Sequence, residues 1–323
     1  LYIAGIEDSN EYGFKEMTDR LLSLNKRIDI VSCSVDFPSG QFDKSEYFCS
    51  IVRNFTKNGT FWINAAGDEA KRHWYGAFKD EDGNGFHEFD PGDEALEIAL
   101  ERGMPLKVWL SWNDSWTKAE QDFDLYIFAP DGSYTISKDS QNGYEGQKPV
   151  EAAEMIAPVR GNYSIKIKKY NASQNNATFQ LFTNVDLLSH NIESFSIGAL
   201  ASCSEVLTIG AVDASTMELE NYSSMGPTID GRLKPDLVAP DNVTTSSYLT
   251  EKFKGSSASV PYAAGIFALA QEKGRKFGMS DAEIERMLLD SAIDLGPQGA
   301  DTGYGHGLIN LHRFAKLKEE SLV

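Results

Sequence analysis

The run Gly255-Ser256-Ser257-Ala258-Ser259-Val260-Pro261-Tyr262-Ala263-Ala264-Gly265 combines features suited to nucleophilic chemistry. A glycine leads into small polar residues, a proline follows, and small apolar residues continue to Leu269. Proline suits the first turn of a helix, where its missing N–H costs nothing. Ala263, Ala264, Gly265 and Ala268 would give that helix a thin wall able to lie deep in a core. Ser257 is thereby expected at a loop-to-helix junction, beside unpaired N–H groups and the positive end of the helix dipole. A hydroxyl placed there can attack a carbonyl whose oxygen becomes anionic. On these residues alone, an N-cap serine is the competing reading.

The elements that would position such a serine begin at the front of the chain. Leu1 to Ile6 reads as a short apolar strand. Phe14, Met17, Leu21 and Leu24 then recur at helical spacing, and a buried strand is expected from Ile28 to Val35. A second helix carries Phe48, Ile51, Val52 and Phe55 and stops near Asn58-Gly59. The strand Thr60 to Ala66 follows. Alternating strands and helices with continuous apolar strands predict a parallel sheet covered on both faces. Chemistry in such sheets sits at the carboxyl ends of the strands. Two ends therefore matter, Ser34-Val35-Asp36 and Ala65-Ala66-Gly67-Asp68.

From about Trp74 the texture changes. Leu106 to Trp112, Phe123 to Ile127, Tyr163 to Ile167 and Phe179 to Leu181 alternate with period two, and Pro130-Asp131-Gly132 signals a turn. The expectation is an antiparallel β-sandwich over 74–185, inserted between 1–73 and 186–323. Asp80-Glu81-Asp82-Gly83-Asn84-Gly85 opens like a calcium loop, with Asp80, Asp82 and Asn84 as ligands. The twelfth position is Pro91 rather than a bidentate glutamate, so an acidic turn is an equal reading. Ser280-Asp281-Ala282-Glu283 is a capping box for a late helix.

The Ser257 stretch resembles the nucleophile motif of the subtilisin-like serine proteases, or subtilases, which runs Gly-Thr-Ser-x-x-x-Pro-x-x-Ala-Gly. Val206 to Asp213, the segment Ser223-Ser224-Met225-Gly226-Pro227 through Pro240, and Asp301 to Asn310 resemble further family segments in the same order. The resemblance covers about residues 1–73 and 186–316. It implies a serine endopeptidase acting on polypeptide through Ser257, with no organic cofactor. It also implies that Ser34, Val35 and Asp36 pair with the substrate backbone and that Ala65, Ala66 and Gly67 wall the first specificity pocket. Asp68 stands where the family carries its oxyanion-hole asparagine, and Asp36 where a glycine is usual. The family's aspartate and histidine motifs lie N-terminal to the strand that Leu1 begins. The expectation is thus a C-terminal portion of a subtilase, with a partner segment supplying acid and base. A catalytically degenerate binding or scaffold protein working through the sandwich is the alternative.

Asp301-Thr302-Gly303 and His306-Gly307 mimic the absent motifs but fall in the family's closing turn, so a structural role is expected. His73, His87, His190 and His312 lack the surroundings of a base. Composition fits a folded globular protein, with 41% hydrophobic residues. The net charge of −18 speaks against nucleic acid and anionic membrane as partners. No apolar run approaches the ~18 residues of a membrane span. Cys33, Cys49 and Cys203 are too few for a disulfide framework, and a structural free thiol is expected for each. Sequons such as Asn54-Phe55-Thr56 permit a secreted or cell-surface location.

Overall fold

Asn10 starts the first helix, α1 (Glu11–Ser23), its side-chain oxygen accepting the Gly13 N–H at 2.9 Å. The chain continues through β1 (Ile30–Cys33), α2 (Tyr47–Thr56) and β2 (Phe61–Ala65), close to the helical and apolar spacings in the sequence. The computed structural model describes residues 1–6, 10–24, 26–42, 47–171, 176–247 and 251–320. Residues 1–6 form no strand, contrary to expectation. Leu1, Tyr2 and Ile3 are exposed, and an apolar run becomes a strand only where a neighbour takes its N–H and C=O groups.

Eight strands follow: β3 (His73–Ala77), β4 (Leu96–Leu100), β5 (Pro105–Trp112), β6 (Asp122–Phe128), β7 (Tyr134–Ser137), β8 (Val150–Ile156), β9 (Gly161–Asn171) and β10 (Thr178–Thr183). Next come β11 (Leu207–Asp213), β12 (Leu237–Asp241), the short pair β13 (Val243–Thr244) and β14 (Lys252–Phe253), then α3 (Ser256–Lys276), α4 (Asp281–Asp290) and α5 (Leu311–Glu320). The chain divides into two compact units, Leu1–Gly67 with Ile197–Val323, and Asp68–Ser196.

The first unit holds a four-stranded sheet in the order β1-β2-β11-β12, parallel throughout. β2 is buried along its whole length, as a strand covered on both faces must be. On one face, Val260, Ala263, Phe267 and Ala270 of α3 share a core with Ile63, Ile209 and Leu237. Against β2 also lies an aromatic cluster from α1, α2 and the loop between: Phe14 meets Phe37, Phe48 and Trp62 edge-on at 5.3 to 5.8 Å. The α3 wall is only partly sunk. Ala263 and Ala264 are buried, but Gly265 and Ala268 are exposed together with Tyr262 and Leu269. Ser280 and Glu283 form the expected capping box at α4.

Cys49 on α2 and Cys203 before β11 are joined by a disulfide, with Cα atoms 5.3 Å apart. This corrects the expectation of free thiols for those two. Their sequence separation of 154 gave no sign of contact, and only the fold brings them together. Cys33 remains a free, buried thiol, and burial pushes its pKa up to about 12.

The second unit consists of two four-stranded antiparallel sheets, β3-β10-β5-β8 and β4-β9-β6-β7. They share one apolar core, with Leu110, Phe179 and Leu181 from the first and Leu96, Phe123, Leu125 and Ile165 from the second. The unit is wider than the alternating stretch. The Thr183, Leu187 and Ile192 N–H groups donate to the carbonyls of Arg72, Lys71 and His73, tying its two ends together. Among the described residues no helix is long and apolar enough to cross a membrane.

Candidate active site

α3 begins at Ser256, with Gly255 in the cap position at φ 104° and ψ 159°, a backbone region open to glycine. No side chain caps the helix. Ser257 is therefore the second helical residue, which removes its reading as an N-cap. It is half-buried, and among the described residues its hydroxyl has no hydrogen-bond partner. Ser259 differs, donating its hydroxyl to the Ala239 carbonyl at 2.9 Å.

Pro261 lies inside the helix rather than in its first turn. A helical N–H at this position would donate four residues back, to the Ser257 carbonyl. Proline has none, and the Ser34 hydroxyl donates to that carbonyl instead, at 3.2 Å. The carboxyl end of β1 is thus fastened to the residue that bears the free hydroxyl.

The other expected residues of the first unit cluster at the same strand ends. The Val35 carbonyl accepts the Asn64 amide at 3.1 Å. Asp36 Oδ1 accepts the N–H groups of Phe37 at 2.8 Å and Leu200 at 3.2 Å. A Cβ on Gly198 would fall 1.8 Å from Asp36 Oδ2, so the carboxylate takes space that only a glycine leaves. Ala65 ends β2, and Ala66 packs with Ile197 and Ala201. The Gly67 carbonyl accepts the Ser224 N–H at 3.0 Å. Asp68, half-buried, is the first residue of the second unit.

Asp80, Asp82 and Asn84 form a self-bonded acidic turn. Asp80 Oδ1 accepts the Gly85 N–H at 3.3 Å, Asp82 Oδ1 the Asn84 N–H at 3.0 Å, and the Asn84 amide donates to Asp82 Oδ2 at 2.9 Å. Among the described residues no group of three His, Cys, Asp or Glu side chains could hold a metal ion.

His73, His87 and His190 have structural surroundings, and His312 is exposed. His73 is fully buried between the Ile192 carbonyl at 2.8 Å and Gln180 Oε1 at 2.6 Å, and burial pushes its pKa down to about 4. His87 sits among Trp74, Phe78 and Phe89, and burial likewise lowers it to about 4. His190 pairs with Asp93 at 2.9 Å. Asp301 Oδ1 accepts the Gly303 and Tyr304 N–H groups at 2.7 and 2.8 Å, closing a turn. His306 is exposed there.

Two features at the site had no signal in the sequence. Asp241, wholly buried at the end of β12, accepts the Gly255 N–H at 2.6 Å. Tyr222 donates its hydroxyl to the same carboxylate oxygen. An aspartate after Ala-Pro reads as a turn residue, and nothing local marks it as buried.

The model of the subtilase family matches residues 112–307. The chain belongs to this family. The structure of the Clostridium perfringens CspB protease superposes with a TM-score of 0.66 at 20% identity, covering 95% of this chain and 70% of that one, which is a likeness of fold. C5a peptidase of Streptococcus pyogenes is 41% identical over 63 residues, 19% of this chain and 6% of that protein. The minor extracellular protease Epr of Bacillus subtilis is 28% identical over 112 residues, 34% of this chain and 16% of that protein. The chain thus spans a small part of the curated relatives it matches.

Proposed function

We propose that this polypeptide carries the nucleophile of a subtilisin-like serine endopeptidase, with Ser257 attacking the scissile carbonyl of a polypeptide. The observation that carries the reading is the unpartnered Ser257 hydroxyl at the start of α3, fastened through its own carbonyl to Ser34. Attack forms a bond from Oγ to the carbonyl carbon while a histidine base takes the hydroxyl proton; the amine then leaves with that proton, and water releases the acyl group. The N–H groups at the start of α3 and, by family resemblance, Asp68 would face the oxyanion. Ser34, Val35 and Asp36 would flank the substrate backbone, and Ala65, Ala66 and Gly67 the first pocket. The Asp36 carboxylate is engaged with Phe37 and Leu200, so that strand would offer backbone groups rather than the side chain.

The base and its aspartate would come from a partner segment. Two surfaces in the first unit suit one: the outer edge of β1, which pairs only with β2 among the described strands, and the exposed apolar stripe Tyr262, Gly265 and Leu269 on α3. The two antiparallel sheets of Asp68–Ser196 are read as an inserted β-sandwich, and a separate cooperative transition in calorimetry tests that. The Cys49–Cys203 disulfide supports a secreted or cell-surface location, since such bonds persist in oxidising compartments. The binding-protein reading draws on one observation, an acidic side chain at Asp68 where an amide donor is expected. Peptide hydrolysis by the full-length protein that Ser257→Ala abolishes supports the protease; hydrolysis that survives the substitution refutes it.

A further inference from the structure

Two bonds hold the chain on either side of Ser257. Two residues before it, the Gly255 N–H donates to Asp241 Oδ2 at 2.6 Å. Two residues after it, the Ser259 hydroxyl donates to the Ala239 carbonyl at 2.9 Å. Both acceptors lie in the last three residues of β12, so the first turn of α3 is tied to one strand end. Gly255 has no side chain to fix its direction, and its φ of 104° leaves it the freest joint in this stretch. Asp241 restrains that joint through the shorter bond, and the Tyr222 hydroxyl is a second, longer acceptor of the same N–H at 3.4 Å.

The acceptor is built for the task. Asp241 is wholly buried, where a carboxylate is costly unless bonded. Tyr222 donates to the same oxygen, and burial, followed by that bond, pushes its phenol up, so it remains a donor.

We propose that Asp241, held in place by Tyr222, is a positioning residue for the Ser257 hydroxyl. The pair acts through the Gly255 N–H and touches no reacting atom. The proposal rests on the reading of Ser257 as the nucleophile. It gives a buried acidic side chain of β12 a part in catalysis that neither its sequence position nor the chemistry of the reaction assigns.

The test compares Asp241→Asn, Asp241→Ala and Tyr222→Phe in the full-length protein, using kcat and KM on one peptide substrate and amide hydrogen exchange at Gly255. Asparagine keeps an acceptor oxygen and alanine does not. A misplacement of ~1 Å costs ~10²-fold in rate. Asp241→Ala should therefore lower kcat by about that factor with KM within ~3-fold, while Asp241→Asn recovers most of it. Gly255 exchange should quicken ~10-fold or more in Asp241→Ala and stay near wild type in Asp241→Asn. Tyr222→Phe should lower kcat ~3- to 10-fold with KM unchanged and serves if the alanine variant fails to fold. Unchanged kcat and exchange in Asp241→Ala overturn the proposal, as does an Asn variant no better than Ala. With an unfolded alanine variant, a silent Tyr222→Phe also overturns it. Ser257→Ala in the same assay separates the two levels: surviving hydrolysis sinks the nucleophile reading, whereas hydrolysis lost there but intact in Asp241→Ala sinks only the positioning role. Exchange at Gly255 reports on the tether even where turnover is absent.

Discussion

The Ser34 hydroxyl donates to the Ser257 carbonyl, which Pro261, lacking an N–H, leaves without its helical partner. A proline that would weaken the helix thus leaves free the acceptor that joins the residue after β1 to Ser257. Ser34→Ala should cost about 0.5–1.5 kcal/mol of stability. In a Pro261→Ala background, where the intrahelical bond can re-form, the same change should cost markedly less. Urea unfolding of the four proteins of this cycle measures the difference, and equal costs in both backgrounds would show that the two residues are uncoupled.

The disulfide makes a prediction about counting. In denaturant without reductant, a thiol reagent should find one group, Cys33; after reduction it should find all three. In the native protein Cys33 should react slowly, since it is buried and its thiol stays protonated. Reduction should also destabilise the fold by about 2–5 kcal/mol, because it frees a long loop in the unfolded chain. Three reactive thiols in denaturant alone would rule out the bond.

Glu151 gives the second unit a pH dependence. It is 2% exposed on β8, and burial raises its pKa from 4.5 to about 7 despite bonds from Ser137, Gln141 and the Asp139 N–H. The folded state then holds a proton that the unfolded state releases between pH 4.5 and about 7. Stability should fall as pH rises through that window and level off above it. The loss is at most about 3 kcal/mol. Glu151→Gln, neutral at every pH, should gain on the wild type between pH 5 and pH 8 in urea midpoints. A gap between them that is the same at both pH values would contradict this.

The same residue shows where the sequence stopped being legible. The apolar alternation of β5, β6, β9 and β10 was readable, but β8 carries Glu151 on a buried position and β3 carries His73, so neither showed a clean period. β2 was plain because burial on both faces demands continuous apolar residues, and α2 because Phe48, Ile51, Val52 and Phe55 recur at helical spacing. The start of α3 and the carboxyl ends of β1 and β2 were legible from local composition. Asp241 and Cys203 were not, because their roles depend on contacts with Gly255 and with Cys49, 154 residues from Cys203. Leu1 to Ile6 looked like a strand because periodicity cannot report whether a pairing partner exists.

In the proposed chemistry Asp68 would take the place of an oxyanion donor. An ionised carboxylate only accepts hydrogen bonds and sets a negative charge beside the one that forms, whereas an asparagine amide donates. Removing an oxyanion donor costs ~10²–10³ in rate, so restoring one should be visible. In the full-length protein at pH 7, Asp68→Asn is expected to raise kcat by at least ~10-fold with the fold intact. A variant no faster than wild type would mean that Asp68 does not face the oxyanion.

Covalent labelling of the full-length protein tests most directly whether Ser257 acts as a nucleophile. A fluorophosphonate forms a phosphorus–oxygen bond with an activated serine and loses fluoride, and peptide mapping then locates the adduct. A single adduct is expected on Ser257, none on Ser256 or Ser259, and none in a Ser257→Ala variant. No adduct on Ser257, in folded protein across neutral and mildly acid pH, would contradict it.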